Sequence, residues 1–263
     1  MSNKKLSLEG LNFQATKIDI SNNILSITLN RPEKKNALNN VMMNELNYAL
    51  AYAKQQRKIR VVVIGAEGDI FCAGADLRRA MEESNVPKLE NADDISFALR
   101  RLHKPVICKI QGSVLAGALL IVTNSTHAIA VKEAKFSAPE IHRGLWPFMV
   151  MAGLFRVMPK RAGLDFIMRG QSIDADKAEQ WGLINQSVSA DELEKTVSDL
   201  ADELASLAPE TMQLGLAAYE QQDALAFDEA LPFLQEQIAN CFQGDDAKEG
   251  IAAFLEKRKP NWK

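Results

Sequence analysis

Residues 105–118 read Pro105-Val106-Ile107-Cys108-Lys109-Ile110-Gln111-Gly112-Ser113-Val114-Leu115-Ala116-Gly117-Ala118, an apolar run that leads into small residues. A short apolar run bounded by turn residues is typical of a buried strand. Small side chains let the backbone approach a ligand closely. Gly117 is expected to open a helix, whose first N–H groups lack intrahelical acceptors and whose positive dipole end favours an anion. The stretch therefore predicts a strand, a tight turn and a helix start that can hold negative charge.

A second loop of small residues lies earlier in the chain. It reads Phe71-Cys72-Ala73-Gly74-Ala75-Asp76 and comes after the apolar run Val61-Val62-Val63-Ile64. We predict that each of the two loops leaves the end of a buried strand and that both hold one developing negative charge, with the acid Glu140, after Pro139, beside them. The alternative is that both loops are ordinary turns between a strand and a helix.

Composition excludes several functional classes. The chain has 263 residues, of which 47% are hydrophobic and 25% charged, which is enough for a substantial core. A net charge of −3 and a pI near 5.8 predict no nucleic-acid partner. The chain has an odd number of cysteines, and the three are widely spaced: Cys72, Cys108 and Cys241. We therefore expect no disulfide framework and no metal site. The sequence has no apolar run long enough for a membrane span or a secretory signal, and we predict a cytoplasmic protein with no membrane partner.

Strand and helix patterns alternate along most of the chain. Strands are predicted at residues 24–30, 61–64, 105–110 and 127–131, and helices at 40–57 and 94–103. Residues 81–93 have turn composition and are predicted to form a mobile lid over a site. Beyond Asp174 the amphipathic spacing predicts helices at 174–182, 190–207, 209–221, 227–242 and 245–257. The pattern indicates an α/β core over residues 1–190 and a helical region over residues 191–263.

Several separated segments, in the same order, resemble the crotonase superfamily, also called the enoyl-CoA hydratase/isomerase family. They are Leu29-Asn30-Arg31-Pro32 with Asn36-Ala37-Leu38, Phe71-Cys72-Ala73-Gly74-Ala75-Asp76-Leu77, Lys104-Pro105-Val106-Ile107 with Gly112, Ala134-Lys135-Phe136-Ser137-Ala138-Pro139-Glu140-Ile141, and Ala178-Glu179-Gln180-Trp181-Gly182-Leu183-Ile184. The resemblance implies a spiral of ββα units that forms two roughly perpendicular sheets. It also implies a helical C-terminal region that makes homotrimers, commonly paired into homohexamers. The expected ligand is an acyl-CoA thioester, and no cofactor is expected because coenzyme A is part of the substrate.

The resemblance also implies roles for individual residues. It assigns the backbone N–H groups that bind the thioester oxygen to Ala75 and Gly117, and it makes Glu140 the general acid and base. A carboxyl group in an apolar pocket has a raised pKa, which suits proton exchange near neutral pH. The alternative for Glu140 is a solvent-facing loop glutamate.

A further group of residues is expected to contact coenzyme A. Lys34 and Lys35 stand at family positions for the phosphates, which cationic side chains bind well. Ala73, Asp76 and Leu77 of the first loop are the other candidates for this contact.

The sequence departs from the family pattern at one catalytic position. Well-studied hydratases of the family carry a second glutamate three residues after the oxyanion glycine, where this chain has Leu120. Residues 144–152 are also bulkier and more apolar than in many relatives. Three functions stay open: hydration of a 2-enoyl-CoA with one acid, Δ3,Δ2-enoyl-CoA isomerisation, and binding of acyl-CoA without catalysis. Because the segment 140–149 resembles a hydratase subgroup that lacks the first acid, we favour the hydratase.

Overall fold

The chain folds into two β-sheets covered by helices. The computed structural model describes residues 5–76, 83–90 and 92–262. The strands within these residues are β1 Thr16–Ser21, β2 Ile24–Leu29, β3 Val61–Ala66, β4 Ile70–Cys72, β5 Val106–Ile110, β6 Ser113–Leu115, β7 His127–Val131, β8 Lys135–Ser137, β9 Ile173–Asp174 and β10 Gln186–Val188. The helices are α1 Asn40–Gln55, α2 Ile95–Arg100, α3 Leu119–Thr123, α4 Phe148–Val157, α5 Lys160–Arg169, α6 Ala175–Gln180, α7 Leu193–Ala205, α8 Pro209–Gln222, α9 Phe227–Gln243 and α10 Asp245–Leu255. Short 3-10 helices cover Pro32–Lys34, Ala116–Ala118 and Pro139–Arg143.

The larger sheet has the strand order β1-β2-β3-β5-β7-β10. Strand β1 is antiparallel to β2, and the other neighbours are parallel. Parallel strands need crossover connections that cover both faces of a sheet, and β3 and β5 are accordingly buried along almost their whole length. The predicted strands β2, β3, β5 and β7 are confirmed, as is helix α1.

The smaller sheet has the order β4-β6-β8-β9, and its first three strands are parallel. It corrects one expectation. The loop 71–76 does not leave the strand 61–64, because the chain turns at residues 67–69 and forms β4 first. The second loop likewise contains β6 rather than following β5 directly. Strands of three residues are too short to show an alternating pattern, so these strands could not be predicted.

Helices α6 to α10 lie close to the five helices predicted beyond residue 174, whereas α4 and α5 were not predicted. The sequence of α4 is apolar on nearly every side, which hides the helical period. Of the predicted lid, residues 81, 82 and 91 lie outside the described residues. Residues 83–90 form neither helix nor strand, and Val86 among them is buried.

The C-terminal helices differ in how they pack. Helix α7 lies on β3, β5 and β7, and its buried side chains join the main core. By packing, this helix belongs with the α/β core, although the predicted boundary after residue 190 precedes it. Helices α9 and α10 expose large apolar groups, with Phe227 78% and Phe254 80% exposed. Among the residues that the structure describes, no helix has the length and apolarity to cross a membrane.

Candidate active site

Three chain segments leave the smaller sheet at one edge. Strands β4, β6 and β8 are parallel neighbours, with Cys72 opposite Val114 and Leu115 opposite Ser137. Parallel strands end on the same side of a sheet, about 4.8 Å apart. The residues that follow are the first loop, the 3-10 helix Ala116–Ala118 and the 3-10 helix that carries Glu140. The sheet therefore brings the three candidate segments together, with the Gly117 segment in the middle.

The first two loops touch each other through glycines. A Cβ atom built on Gly74 would lie 2.9 Å from the amide nitrogen of Gly117, closer than a real Cβ can approach. A Cβ atom built on Gly117 would lie 3.5 Å from the amide nitrogen of Ala75. Gly74 also has φ +86°, which side chains rarely tolerate. The two amide nitrogens assigned to one oxygen thus lie in segments that are in contact.

The direction of the Ala75 N–H follows from its pairing with Leu38. The N–H of Leu38 donates to the carbonyl of Gly74 (2.8 Å), and the N–H of Asp76 donates to the carbonyl of Leu38 (2.9 Å). Because these neighbours face Leu38, the N–H of Ala75 points to the opposite side, where β6 and its loop lie. Among residues 5–76, 83–90 and 92–262, no group accepts a hydrogen bond from it. Within the described part of the chain, this donor is therefore left for a ligand.

Gly117 presents its N–H for a different reason. It is the second residue of the 3-10 helix Ala116–Ala118, so its N–H precedes the first intrahelical hydrogen bond. Ala116 before it has φ +53°, a left-handed conformation that is costly for alanine. This turn changes the chain direction at the end of β6. Helix α3 follows this 3-10 helix directly, so the Gly117 N–H lies near its N-terminal end.

Glu140 lies half-buried in the 3-10 helix Pro139–Arg143. Its Oε2 atom is buried and has no hydrogen-bond partner among the described residues. Burial raises the pKa of this carboxyl group, and a hydrogen bond to its own backbone and the charge of Arg143 oppose that rise. Glu140 is therefore not a solvent-facing loop glutamate. A carboxylate with one buried oxygen that has no partner among the described residues is suited to taking up and returning a proton.

Leu120 forms part of an apolar wall near these groups. It is the second residue of α3, one helical turn beyond Gly117, and it is partly buried against the core. Side chains one turn apart lie on the same side of a helix.

Further along the chain, the Nε1–H of Trp146 donates to the Sδ atom of Met151 at 3.0 Å. His142 and Arg143 are exposed.

The lysines predicted to bind coenzyme A stand beside the first loop. Lys34 and Lys35 are exposed, and the carbonyl of Lys35 accepts a hydrogen bond from the N–H of Ala73 (3.0 Å). This bond places the backbone of Lys35 beside the first loop. Ala73 is half-buried, and its backbone is committed to that bond. Leu77 lies outside the described residues.

Asp76 has a different environment from the one expected of a coenzyme contact. Its Oδ2 atom lies 3.3 Å from both terminal nitrogens of Arg31, and the Arg31 side chain also donates to the carbonyl of Ala37 (2.6 Å). The ion pair ties the first loop to the segment that follows β2. Asn36 in that segment is fully buried and bonds to three backbone groups, although it was predicted only as part of a motif. The available signal was an asparagine in a polar turn, a residue type that tolerates left-handed backbone.

The chain is similar to known proteins along most of its length. A profile of the enoyl-CoA hydratase/isomerase family matches residues 19–263. A short-chain-enoyl-CoA hydratase of Clostridium acetobutylicum is 31% identical over 238 residues, covering 89% of this chain and 91% of the relative. A mevalonyl-coenzyme A hydratase of Aspergillus fumigatus is 30% identical over 254 residues, covering 91% of each chain.

A solved structure shows the same fold. The crystal structure of an enoyl-CoA hydratase of Mycobacterium smegmatis superposes with a TM-score of 0.86 at 28% identity, over 95% of this chain and 99% of that chain. The family profile spans nearly the whole sequence, and the relatives match along most of their own length. The chain therefore belongs to the enoyl-CoA hydratase/isomerase family, the crotonase superfamily.

Proposed function

We propose that this enzyme is a lyase that adds water to the double bond of a 2-enoyl-CoA thioester. The observation that carries the proposal is the meeting of three segments at one sheet edge: the Ala75 N–H without an acceptor among the described residues, the helix-initial N–H of Gly117, and the unpaired buried oxygen of Glu140. Relatives named short-chain-enoyl-CoA hydratase and probable enoyl-CoA hydratase support it.

In the proposed mechanism, the two N–H groups bind the thioester oxygen. Addition of water to C3 moves the electrons of the double bond towards the carbonyl, and negative charge develops on that oxygen. Two preorganised donors stabilise this charge without rearranging during the reaction. The carboxylate of Glu140 takes a proton from the attacking water and returns a proton to C2. One water is consumed, and the product is a 3-hydroxyacyl-CoA.

Leu120 gives a specific reason to keep the isomerase as a second candidate. With leucine in place of the second acid, only Glu140 orients the water in our scheme. An isomerase needs no water, because one carboxylate can take a proton from C2 of a 3-enoyl-CoA and return it to C4. The same two N–H donors would stabilise the enolate in that reaction.

Purified protein and two substrates separate these functions. Hydration of crotonyl-CoA removes the absorbance of the conjugated thioester and adds the mass of one water. Isomerisation of a 3-enoyl-CoA creates that absorbance without a change in mass. We expect the first result. Tight binding of acyl-CoA with neither reaction would instead support a binding protein without catalysis.

We propose that the first loop and the adjoining turn bind coenzyme A. The exposed Lys34 and Lys35 are free to meet phosphate groups at the edge of the site. Ala73, Asp76 and Leu77 are proposed to shape the same contact, with Asp76 acting through its ion pair to Arg31. The reaction then requires no cofactor beyond the coenzyme A of the substrate.

We also propose that the enzyme is a homotrimer or homohexamer assembled through its C-terminal helices. Apolar side chains exposed on α9 include Phe227, Leu231, Ile238 and Phe242, and such a surface is unfavourable in water. Light scattering during size-exclusion chromatography tests this. The absence of nucleic-acid and membrane partners stays a prediction. So does the cytoplasmic location, since relatives from Homo sapiens and Dictyostelium discoideum are named mitochondrial.

A further inference from the structure

A buried asparagine joins three segments beneath the candidate site. Asn36 is fully buried, and all of its side-chain polar atoms are used. Its amide nitrogen donates to the carbonyls of Glu67 and Ile70, both at 2.8 Å, and its Oδ1 atom accepts from the N–H of Arg31 at 2.8 Å. These bonds link the end of β2, the turn after β3 and the first residue of β4. A buried amide with every bond made holds its neighbours in one arrangement.

The backbone around Asn36 carries this link into the first loop. Asn36 and Lys35 both have left-handed backbone, with φ of 52° and 53°. The carbonyl of Lys35 accepts from the N–H of Ala73 (3.0 Å), and the N–H of Leu38 donates to the carbonyl of Gly74 (2.8 Å). Lys35 and Leu38, one residue before and two residues after Asn36, therefore hold the two residues that precede Ala75.

A further bond connects Asn36 with the strand that enters the loop. The Sγ–H of Cys72 donates to the carbonyl of Asn36 at 3.0 Å. Burial raises the pKa of the Cys72 thiol to about 12, so the thiol keeps the proton that it donates. Asn36 thus contacts the last residue of β4 directly and the next two residues through Lys35 and Leu38.

We propose that Asn36 is a positioning residue for the oxyanion hole, because its side chain holds the segment 35–38 against the first loop and thereby aims the N–H of Ala75. The inference rests on the proposed function of Ala75 and Gly117. A hydrogen-bond donor acts only when it meets the position of the developing oxyanion, at about 2.7–3.1 Å. A small shift of the first loop would move this donor out of range, whereas Glu140 lies on a different strand end and would keep its place.

Two substitutions of Asn36 test the inference. Asn36→Asp keeps the shape and the acceptor but cannot donate to both carbonyls. Asn36→Gly removes the side chain and favours the left-handed backbone, so it serves if the aspartate variant does not fold. The matched control is Glu45→Gln, because Glu45 is equally buried and accepts three hydrogen bonds that join α1 to residues 14–16, away from the site.

Two measurements are made on each folded variant. The first is kcat for crotonyl-CoA, at a temperature well below each variant's Tm. The second is the infrared stretch of bound butyryl-CoA labelled with carbon-13 at its carbonyl, a saturated thioester that cannot be hydrated. Hydrogen bonds from the two N–H groups lower this frequency relative to the free ligand. We expect the Asn36 variants to lose on the order of 10²-fold in kcat and to return the frequency towards the free value.

The control separates positioning from stability. Glu45→Gln should lower Tm but leave kcat and the carbonyl frequency unchanged. Equal kcat and frequency in wild type and the Asn36 variants would overturn the inference, as would the same losses in the Glu45 variant. The wild-type protein could lower the carbonyl frequency of bound butyryl-CoA and yet not hydrate crotonyl-CoA. In that case the proposed reaction fails, and the infrared result alone decides the role of Asn36. If the wild type does not lower the frequency, the oxyanion hole itself is refuted, and this inference with it.

Discussion

Replacement of Glu140 by glutamine is the most direct test of the chemistry. Glutamine has almost the same shape but cannot take up or release a proton. General acid–base catalysis contributes about 10²–10⁴-fold to a rate. Because Leu120 occupies the position of a second acid, Glu140 serves both proton transfers in our scheme, and we expect the upper end of that range. A 10⁴-fold loss in kcat corresponds to about 5.4 kcal/mol of transition-state stabilisation.

The structure also predicts what the substitution leaves intact. The Oε2 atom of Glu140 has no hydrogen-bond partner among the described residues, so the amide breaks no bond at that atom. The pKa of the Glu140 carboxyl group is raised in the folded state, so the protonated group favours folding. This contribution to stability is fully present below the ordinary pKa and is lost as pH rises through the raised value. The glutamine variant lacks this loss. Its Tm should match or exceed that of the wild type at neutral pH, and the difference should shrink in acid.

The assay combines rates with binding. Initial rates of crotonyl-CoA hydration give kcat and KM, and calorimetry gives the affinity for butyryl-CoA, which should change by less than about threefold if the loss is confined to the chemical step. Glu133→Gln, at an exposed position of the turn between β7 and β8, removes the same charge and should retain full activity. A kcat for Glu140→Gln within a few-fold of wild type would refute the reasoning and move the acid to another residue.

Three further changes test other parts of the site. Leu120→Glu should increase crotonyl-CoA hydration by supplying a second acid. Leu120→Gln has the shape of the glutamate variant without the acid and should not increase it; equal rates in both variants would show that an added acid at this position does not help. Gly74→Ala should lower kcat by about 10²-fold, because its methyl group would press on the second loop. Gly10→Ala, also at positive φ but with open space around it, should not lower kcat, and equal losses would point to backbone strain. Lys34→Ala with Lys35→Ala should raise KM for crotonyl-CoA about tenfold but leave the KM of a crotonyl-pantetheine thioester unchanged; a rise for both substrates would refute phosphate binding.

Several elements of the fold could be predicted because their patterns are local. Each of these patterns lies within one short stretch of consecutive residues: the apolar runs of β3 and β5 and the amphipathic spacing of α1 and α7. The short strands of the smaller sheet could not be predicted, because three residues carry too little pattern and their stability comes from neighbours distant in sequence. Helix α4 was missed since its residues are apolar on nearly all sides.

The candidate site divides in the same way. The sequence by itself determined which residue types are available: two loops of small residues, one acid at position 140, and a leucine at position 120. Only the tertiary structure decided that β4, β6 and β8 end side by side, that the Ala75 N–H faces away from Leu38, and that one oxygen of Glu140 is buried without a partner. The physical reason is that backbone donors leave no mark in a sequence. Their direction and the solvation of a carboxylate depend on segments that folding brings together.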